Sequence, residues 1–251
     1  MDLNRYFIYL SYRGTNYHGW QVQENATSVQ SYINNALSIL LNEDIRTIGA
    51  GRTDTGVHAK FYVAHFDTKA DNLDTDSKFL HSLNRIVPND IAIHEIRRVK
   101  SDANARFDAL RRGYEYVICR KKDPFWLGLS WFYDARLNLE NMQLATQQLF
   151  NYTDFTSFSK VGSETKTNIC KIYEAEWREN GNLVIFYIEA NRFLRNMVRA
   201  IVGTLMDVGR GKITPEEFAT IIEKRDRKLA GTSAPAEGLY LVKIEYSENL
   251  I

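Results

Sequence analysis

The sequence predicts an α+β protein made of two similar α/β subdomains, whose mixed, mainly antiparallel sheets join across a central active-site cleft. In each half of the chain, segments that alternate apolar and polar residues are interleaved with segments of helical periodicity. The chain has 251 residues and is 44% hydrophobic, which is enough to bury two cores of ordinary size. We expect subdomains at residues 1–105 and 106–251, with no sequence repeat between them.

The first half is predicted to begin with a strand from Arg5 to Tyr12. A helix follows, with Ser28 as its N-cap, because apolar residues then recur at helical spacing. These residues are Val29, Ile33, Ala36, Leu37, Leu40 and Leu41. Strands are expected at 45–50, 61–66 and 91–99, and a short helix at 78–86.

The second half is predicted to open with a strand over 107–120 and a helix over 139–150. Asn180-Gly181 predicts a hairpin between strands at 170–178 and 183–190. A helix is expected over 193–208, ended by Gly209, and another starts at Thr214 with Pro215 in its first turn. A strand over 239–246 follows.

Three features of the sequence indicate the cellular compartment of the protein. The first twelve residues lack a basic leader and an apolar signal core, and no apolar stretch approaches the roughly 18 residues of a membrane span. We therefore expect a cytoplasmic protein. Cys119 and Cys170 fit no metal or redox spacing and are expected to be reduced core residues.

Positive charge is concentrated in one segment, although the whole chain carries a formal net charge of only +1. Residues 97–122 contain nine basic and three acidic residues, a net charge of +6. Aromatic residues lie within or just after this run: Tyr114, Tyr116, Phe125, Trp126 and Trp131. Arginines contact phosphates and aromatic rings stack on bases, so the segment favours RNA binding. The alternative is an ordinary solvated surface.

The segment from Gly51 to Ala59 is a polar turn between two predicted strands, with Asp54 near its centre. Flanking glycines allow a tight turn that projects a carboxylate from a rigid base, as a nucleophile or general base requires. The alternative is an Asx-turn in which Asp54 bonds its own backbone. We interpret His58 as a structural residue.

The predicted helix over 193–208 places Arg192, Arg195 and Arg199 on roughly one face. Its apolar surroundings would draw Arg199 out of water, and a buried guanidinium needs a carboxylate partner. Asp54 is one candidate; another acid, or escape to the surface, is the alternative. Tyr114 is positioned either to stack on a base or to fill the core.

Several motifs occur in an order that resembles the tRNA pseudouridine synthase A (TruA) family along nearly the whole chain. They are Tyr12 to Gln23, Gly51 to Ala59, Ala105 to Phe107, Asp154 to Phe158, Asn196 to Gly203 and Glu237 to Leu241.

The resemblance implies Asp54 as the catalytic aspartate, Arg199 as its paired arginine and Tyr114 as the tyrosine that contacts the target uracil. It implies Arg52 and Leu239 as further substrate-binding residues. It also implies an isomerase without metal or organic cofactor, acting as a homodimer on uridines 38 to 40 of the tRNA anticodon stem-loop.

Two residues depart from the family pattern. Thr55 stands where alanine is usual, and Gly113 interrupts an arginine-rich approach to Tyr114. The rival interpretation is a non-catalytic tRNA-binding module or RNA chaperone. Asp54 beside Arg199 argues against it, because a carboxylate facing phosphates adds nothing to RNA binding.

Overall fold

The computed structural model describes residues 3–162 and 165–250. These residues form nine strands and five α-helices interleaved along the chain, which confirms the predicted α+β class. The strands are β1 (Asn4–Tyr12), β2 (Ile48–Gly49), β3 (His58–Thr68), β4 (Ile91–Val99), β5 (Arg111–Cys119), β6 (Trp131–Phe132), β7 (Ile172–Asn180), β8 (Leu183–Ala190) and β9 (Leu239–Glu245). The helices are α1 (Val29–Leu41), α2 (Ser77–Ile86), α3 (Leu139–Gln148), α4 (Met197–Gly209) and α5 (Pro215–Lys224). The chain forms two compact units, Met1–Leu110 with Leu241–Ile251, and Arg111–Tyr240.

In the first unit, β1 lies between β3 and β4 and is antiparallel to both, with Ile8 opposite Ala64 on one side and Ile96 on the other. The short strand β2 pairs with β3. Five consecutive β1 residues, from Tyr6 to Leu10, are buried, so the strand is covered on both faces. Ser28 caps α1 as predicted, its hydroxyl accepting a hydrogen bond from the Ser31 N–H at 3.2 Å.

In the second unit, β8 lies between β5 and β7 and is antiparallel to both, while β6 pairs parallel to the end of β5. The predicted hairpin is confirmed: β7 and β8 are joined at Gly181, which has φ 58°. The start of α5 is also as predicted. Thr214 and Glu217 form a reciprocal capping box, with Pro215 in the first turn.

The predicted start of the helix at residue 193 is wrong, because α4 begins only at Met197. Asn196 adopts φ 65°, a left-handed conformation through which an α-helix cannot continue. Arg192 and Arg195 therefore precede the helix, and the three arginines do not share a helical face. All α4 residues other than Arg199 and Asp207 are buried.

The strand predicted over 45–50 is reduced to Ile48–Gly49. Side chains of α1 take the backbone groups that a longer strand would need. Asn34 Oδ1 accepts the Thr47 N–H at 2.9 Å, and Gln30 Nε2 donates to the Thr47 carbonyl at 2.6 Å. Amide side chains thus replace a ladder at this edge.

Both cysteines lie in the second unit and are buried, as predicted for core residues. Burial raises the pKa of the Cys170 thiol to about 11, so it stays protonated at neutral pH. None of the helices in residues 3–162 and 165–250 is both long and apolar enough to cross a membrane.

His65 of β3 is a buried histidine that must stay neutral, since its Nδ1 accepts the Ala105 N–H at 3.1 Å. Burial, aided by the positive charge of Arg5, lowers its pKa to about 4, while Asp67 and Asp108 oppose the shift. An unfolded histidine titrates near pH 6.5, so between these pH values the unfolded chain binds the extra proton. This contribution to stability is complete above about pH 6.5 and is lost as the pH falls toward 4.

We predict that His65→Asn removes much of this pH dependence, which amounts to up to about 3 kcal/mol of unfolding free energy. The amide oxygen of asparagine can accept the Ala105 N–H but does not titrate. Urea unfolding at about pH 7 and about pH 4.5 measures the effect, with exposed His81→Asn as the control. An unchanged pH slope in His65→Asn would contradict this assignment.

Candidate active site

The predicted catalytic turn lies between β2 and β3 of the first unit. Asp54 is half-buried at the centre of the turn, and Arg52 is exposed beside it. The turn is closed by the Val57 N–H, which donates to the main-chain carbonyl of Asp54 at 3.1 Å. Because this bond uses the carbonyl, it fixes the backbone from which the Asp54 carboxylate projects.

The start of the turn is held by a buried tyrosine. The Tyr62 hydroxyl donates to the Gly51 carbonyl at 2.5 Å. The Tyr62 ring stacks on Trp20, with 4.1 Å between centroids, so the hydroxyl cannot easily move away. Both rings are almost fully buried.

The middle of the turn contacts the segment from Tyr12 to Trp20. The hydroxyls of Tyr12 and Thr53 are hydrogen-bonded at 2.9 Å. Gly19 packs directly against the turn: a Cβ at this position would lie 2.2 Å from the Thr53 carbonyl oxygen. Gly19 also has φ 89°, so its backbone conformation and its packing both require glycine.

The end of the turn is held by the same segment. The Gly56 N–H donates to the Tyr17 carbonyl at 3.3 Å, and the Gly14 N–H donates to His58 Nδ1 at 2.9 Å. His58 is buried, and this bond supports its structural interpretation. The Tyr17 hydroxyl in turn donates to Asp90. Residues 12–20 therefore fix the Asp54 turn at its middle and end, as Tyr62 does at its start.

In the second unit, Tyr114 lies on β5 opposite Ile188. Its ring meets Phe193 edge to face, with 5.1 Å between centroids and 89° between planes. The ring is half-buried rather than fully enclosed. The sequence does not indicate Phe193 as a neighbour, because its pattern predicts that residue 193 begins a helix.

Arg199 projects from α4 toward the segment that precedes β9. Its Nε donates to the Ala234 carbonyl at 2.7 Å, and the Ala234 N–H donates to the Arg199 carbonyl at 2.9 Å. Next to this pair, the buried Tyr116 hydroxyl donates to the Pro235 carbonyl at 2.8 Å. Burial raises the pKa of Tyr116, and the positive charge of Arg199 partly opposes the shift.

The segment from 230 to 238 consists mainly of small residues, and it lies against α4. A Cβ on Gly203 would lie 1.8 Å from the Thr232 carbonyl oxygen, so only glycine permits this approach. The Gly231 N–H donates to Thr204 Oγ1 at 3.0 Å. Leu239 follows this segment as the first residue of β9 and is only 6% exposed. Arg199 and the segment that leads into Leu239 therefore both lie next to Tyr116. Tyr116 is two residues along β5 from Tyr114.

The basic run over 97–122 is less positive than its sequence suggests. Several of its arginines pair with acids from outside the run: Arg97 with Glu95, Arg98 with Asp71, and Arg111 with Glu189. Glu189 is only 2% exposed, so its pair with Arg111 is the least hydrated of the three. Within residues 3–162 and 165–250, no group of three histidine, cysteine or acidic side chains is arranged to hold a metal ion.

Comparison with known proteins assigns the chain to a family. A family model described as tRNA pseudouridine synthase matches residues 145–247. Proteins named tRNA pseudouridine synthase A match nearly the whole chain. That of Bacteroides fragilis is 51% identical over 100% of this chain and 99% of its own, and that of Bacteroides thetaiotaomicron is 52% identical over 99% and 93%. The chain belongs to the tRNA pseudouridine synthase A family.

A relative from outside the genus Bacteroides also matches nearly the whole chain. The tRNA pseudouridine synthase A of Acetivibrio thermocellus is 43% identical over 95% of this chain and 98% of its own. The predicted family and the predicted enzyme class, an isomerase, are confirmed by these matches.

The sequence does not indicate which residues hold the Asp54 turn. Its patterns assign Tyr12, Tyr17, Gly19 and Tyr62 only to a strand, a turn or a motif. In the structure the three tyrosines bond to residues 51–56 through a hydroxyl or a carbonyl, and the glycine packs on them because it has no side chain. The available signal was the density of tyrosine, tryptophan and glycine between residues 12 and 20, which is high for a surface turn. That pattern does not identify the turn as the partner, because the turn residues that this segment contacts are more than thirty positions away in sequence.

We predict that alanine lowers the melting temperature at Gly19, which packs against the Asp54 turn, but not at Gly51, which begins the turn. Gly19→Ala must relieve both a positive φ and a contact with Thr53, so we expect a loss of at least about 2 kcal/mol and a melting temperature about 4–8 °C lower. Gly51→Ala places its Cβ where no atom lies within 4 Å, so its melting temperature should stay within about 1 °C of the parent. Thermal unfolding of both variants measures the difference, and equal melting temperatures would contradict the packing described.

Proposed function

We propose that the chain converts uridine to pseudouridine at positions 38 to 40 of the tRNA anticodon stem-loop, with Asp54 as the nucleophile. The observation that carries the proposal is a half-buried carboxylate on a turn fixed along its length, in a member of the tRNA pseudouridine synthase A family. A nucleophile held in one position avoids reorganisation when the reaction begins.

Substrate binding requires the target uridine to leave its stack, because the atoms that react are covered in a helical stem. We propose that the flipped uracil contacts the half-buried ring of Tyr114, whose edge-to-face neighbour Phe193 limits its movement. Arg52, exposed beside Asp54, holds the displaced nucleotide, and Leu239 contributes an apolar contact.

The chemistry is an isomerisation that needs no net oxidation or reduction. The bond between ribose C1′ and uracil N1 breaks, the uracil rotates while it is held, and a bond forms between C1′ and C5. N1 gains a proton and C5 loses one, so the product has the composition of the substrate. Asp54 serves whether it adds to the uracil, attacks the ribose or removes a ribose proton, since each route needs an ionised, positioned carboxylate.

Arg199 and Tyr114 are proposed as the other catalytic residues. A guanidinium favours the ionised form of a carboxylate, and Arg199 is itself fixed through its bond to the Ala234 carbonyl. We also propose that the enzyme works as a homodimer, by its resemblance to the family, and in the cytoplasm, where its proposed substrate is.

The experiment that tests the proposal is tritium release from tRNA that carries tritium at uracil C5. Loss of the C5 proton accompanies each isomerisation, so the parent should release tritium and Asp54→Asn should lose at least about 1,000-fold in rate. Asp44→Asn is the control, since Asp44 is exposed and pairs only with exposed Arg46 in its described salt bridge. Transcripts with cytidine at position 38, 39 or 40 identify the target.

Three results would count against parts of this proposal. Near-normal release by Asp54→Asn would remove Asp54 as the nucleophile. Release that is unaffected by all three cytidine substitutions would place the reaction elsewhere in tRNA. Tight, salt-dependent tRNA binding without release by the parent would favour the non-catalytic RNA-binding module instead.

A further inference from the structure

The turn over residues 103–108, which we call the Phe107 turn, presents an aromatic ring to solvent. Phe107 is 76% exposed, whereas Phe7, Phe66, Phe155 and Phe158 are at most 1% exposed. A single exposed phenylalanine is ordinary on a protein surface. The construction of the turn beneath it distinguishes this one.

The inner side of the Phe107 turn is fixed by buried side chains from two strands. The Ala105 N–H donates to His65 Nδ1 of β3 at 3.1 Å, and the Tyr246 hydroxyl, just after β9, donates to the Ala105 carbonyl at 2.6 Å. Both polar groups of this residue therefore point inward, and its methyl group is fully buried. Two residues earlier in the turn, Arg5 donates to the Ala103 carbonyl at 3.0 Å.

The outer side of the turn is organised by Asn104. Its Oδ1 accepts the N–H groups of Arg106 and Phe107 at 2.9 and 3.2 Å, and its own N–H donates to Asp108 Oδ2 at 2.7 Å. The acidic side chain of the turn is thus directed to the backbone rather than away from it. The Arg106 guanidinium lies over the Phe107 ring, 5.5 Å from its centroid.

We propose that Phe107 is a stacking site for an unpaired base of the tRNA, with Arg106 contacting an adjacent phosphate; this rests on the proposed function. A flat apolar ring held out by a rigid turn is what a base requires for stacking, and the ordering cost is already met by the contacts of Ala105 and Asn104. A guanidinium beside the ring adds the charge that a phosphate requires. The site binds the flat face of an unpaired base in RNA and does not distinguish between nucleotide sequences.

The test compares variants at Phe107 in binding to an unmodified tRNA transcript labelled with fluorescein at its 3′ end, measured by fluorescence anisotropy. Phe107→Leu keeps the apolar bulk but removes the flat face, so we expect Kd to rise about 5- to 150-fold. Phe107→Trp should bind within about two-fold of the parent, because it keeps the face. Phe150→Leu removes an exposed aromatic ring at 43% exposure elsewhere and should leave Kd unchanged.

Two further measurements separate stacking from charge. The slope of log Kd against log salt should be unchanged in Phe107→Leu and should fall by about one in Arg106→Met, since only the second variant removes a phosphate contact. Binding of a fully paired RNA duplex should not distinguish Phe107→Leu from the parent, because a duplex offers no free base.

Binding of tRNA by Phe107→Leu within about two-fold of the parent would overturn the inference, as would equal losses for the duplex and for tRNA. An unchanged salt slope in Arg106→Met would remove the phosphate contact. Tritium release by the parent distinguishes failure of the stacking site from failure of the proposed function. A parent that releases tritium while Phe107→Leu binds normally refutes the stacking site alone.

Discussion

The close contact between Gly19 and the Thr53 carbonyl is the constraint on which the Asp54 turn depends. Two backbones can approach this closely only where one of them lacks a side chain. The approach places the hydroxyl of Tyr12 and the carbonyl of Tyr17 within hydrogen-bonding distance of Thr53 and Gly56. Asp54 lies between Thr53 and Gly56 in the sequence, so its carboxylate projects from a fixed backbone.

Hydrogen bonds of tyrosine hydroxyls are a main part of this support. Tyr12, Tyr17 and Tyr62 have buried rings, and each places its hydroxyl on a polar partner. Their rings supply apolar contact area, while their hydroxyls bond to half-buried groups of Thr53, Asp90 and Gly51. The segment before α1 therefore acts as a rigid support for the turn, although it has little regular secondary structure of its own.

The sequence predicted those elements whose signals are local. Ser28, Thr214 and the Asn180-Gly181 pair determine nearby backbone, and the structure confirms the elements they mark. Predictions failed where a distant or single residue decided the outcome. The amides of α1 shorten β2, and the left-handed Asn196 delays α4, which neither apolar periodicity nor propensity reveals.

The candidate site shows the same division. Asp54, Tyr114 and Arg199 were identifiable because their residue types and motifs suggest chemistry, and they stay predictions as catalytic residues. The residues that hold them were not identifiable, since the Tyr12 and Thr53 hydroxyls are 41 positions apart and Tyr116 and Pro235 are 119 apart. The ion pairs made by the basic run were likewise not identifiable, because Glu189 lies 78 positions from Arg111.

The central claim is that the buried tyrosine hydroxyls position the Asp54 turn for catalysis. Its most direct test is the single-turnover rate of isomerisation at saturating tRNA in a Tyr12→Phe, Tyr62→Phe double variant, with Tyr6→Phe as a buried control. The Tyr6 hydroxyl donates to the Ala70 carbonyl at 3.4 Å and also bonds to the Leu73 backbone, and both partners lie outside the Asp54 turn. We expect the step to be slower by about 10- to 100-fold in the double variant with tRNA affinity unchanged, because a misplaced nucleophile affects the reaction and not binding. A rate equal to that of the parent would contradict it.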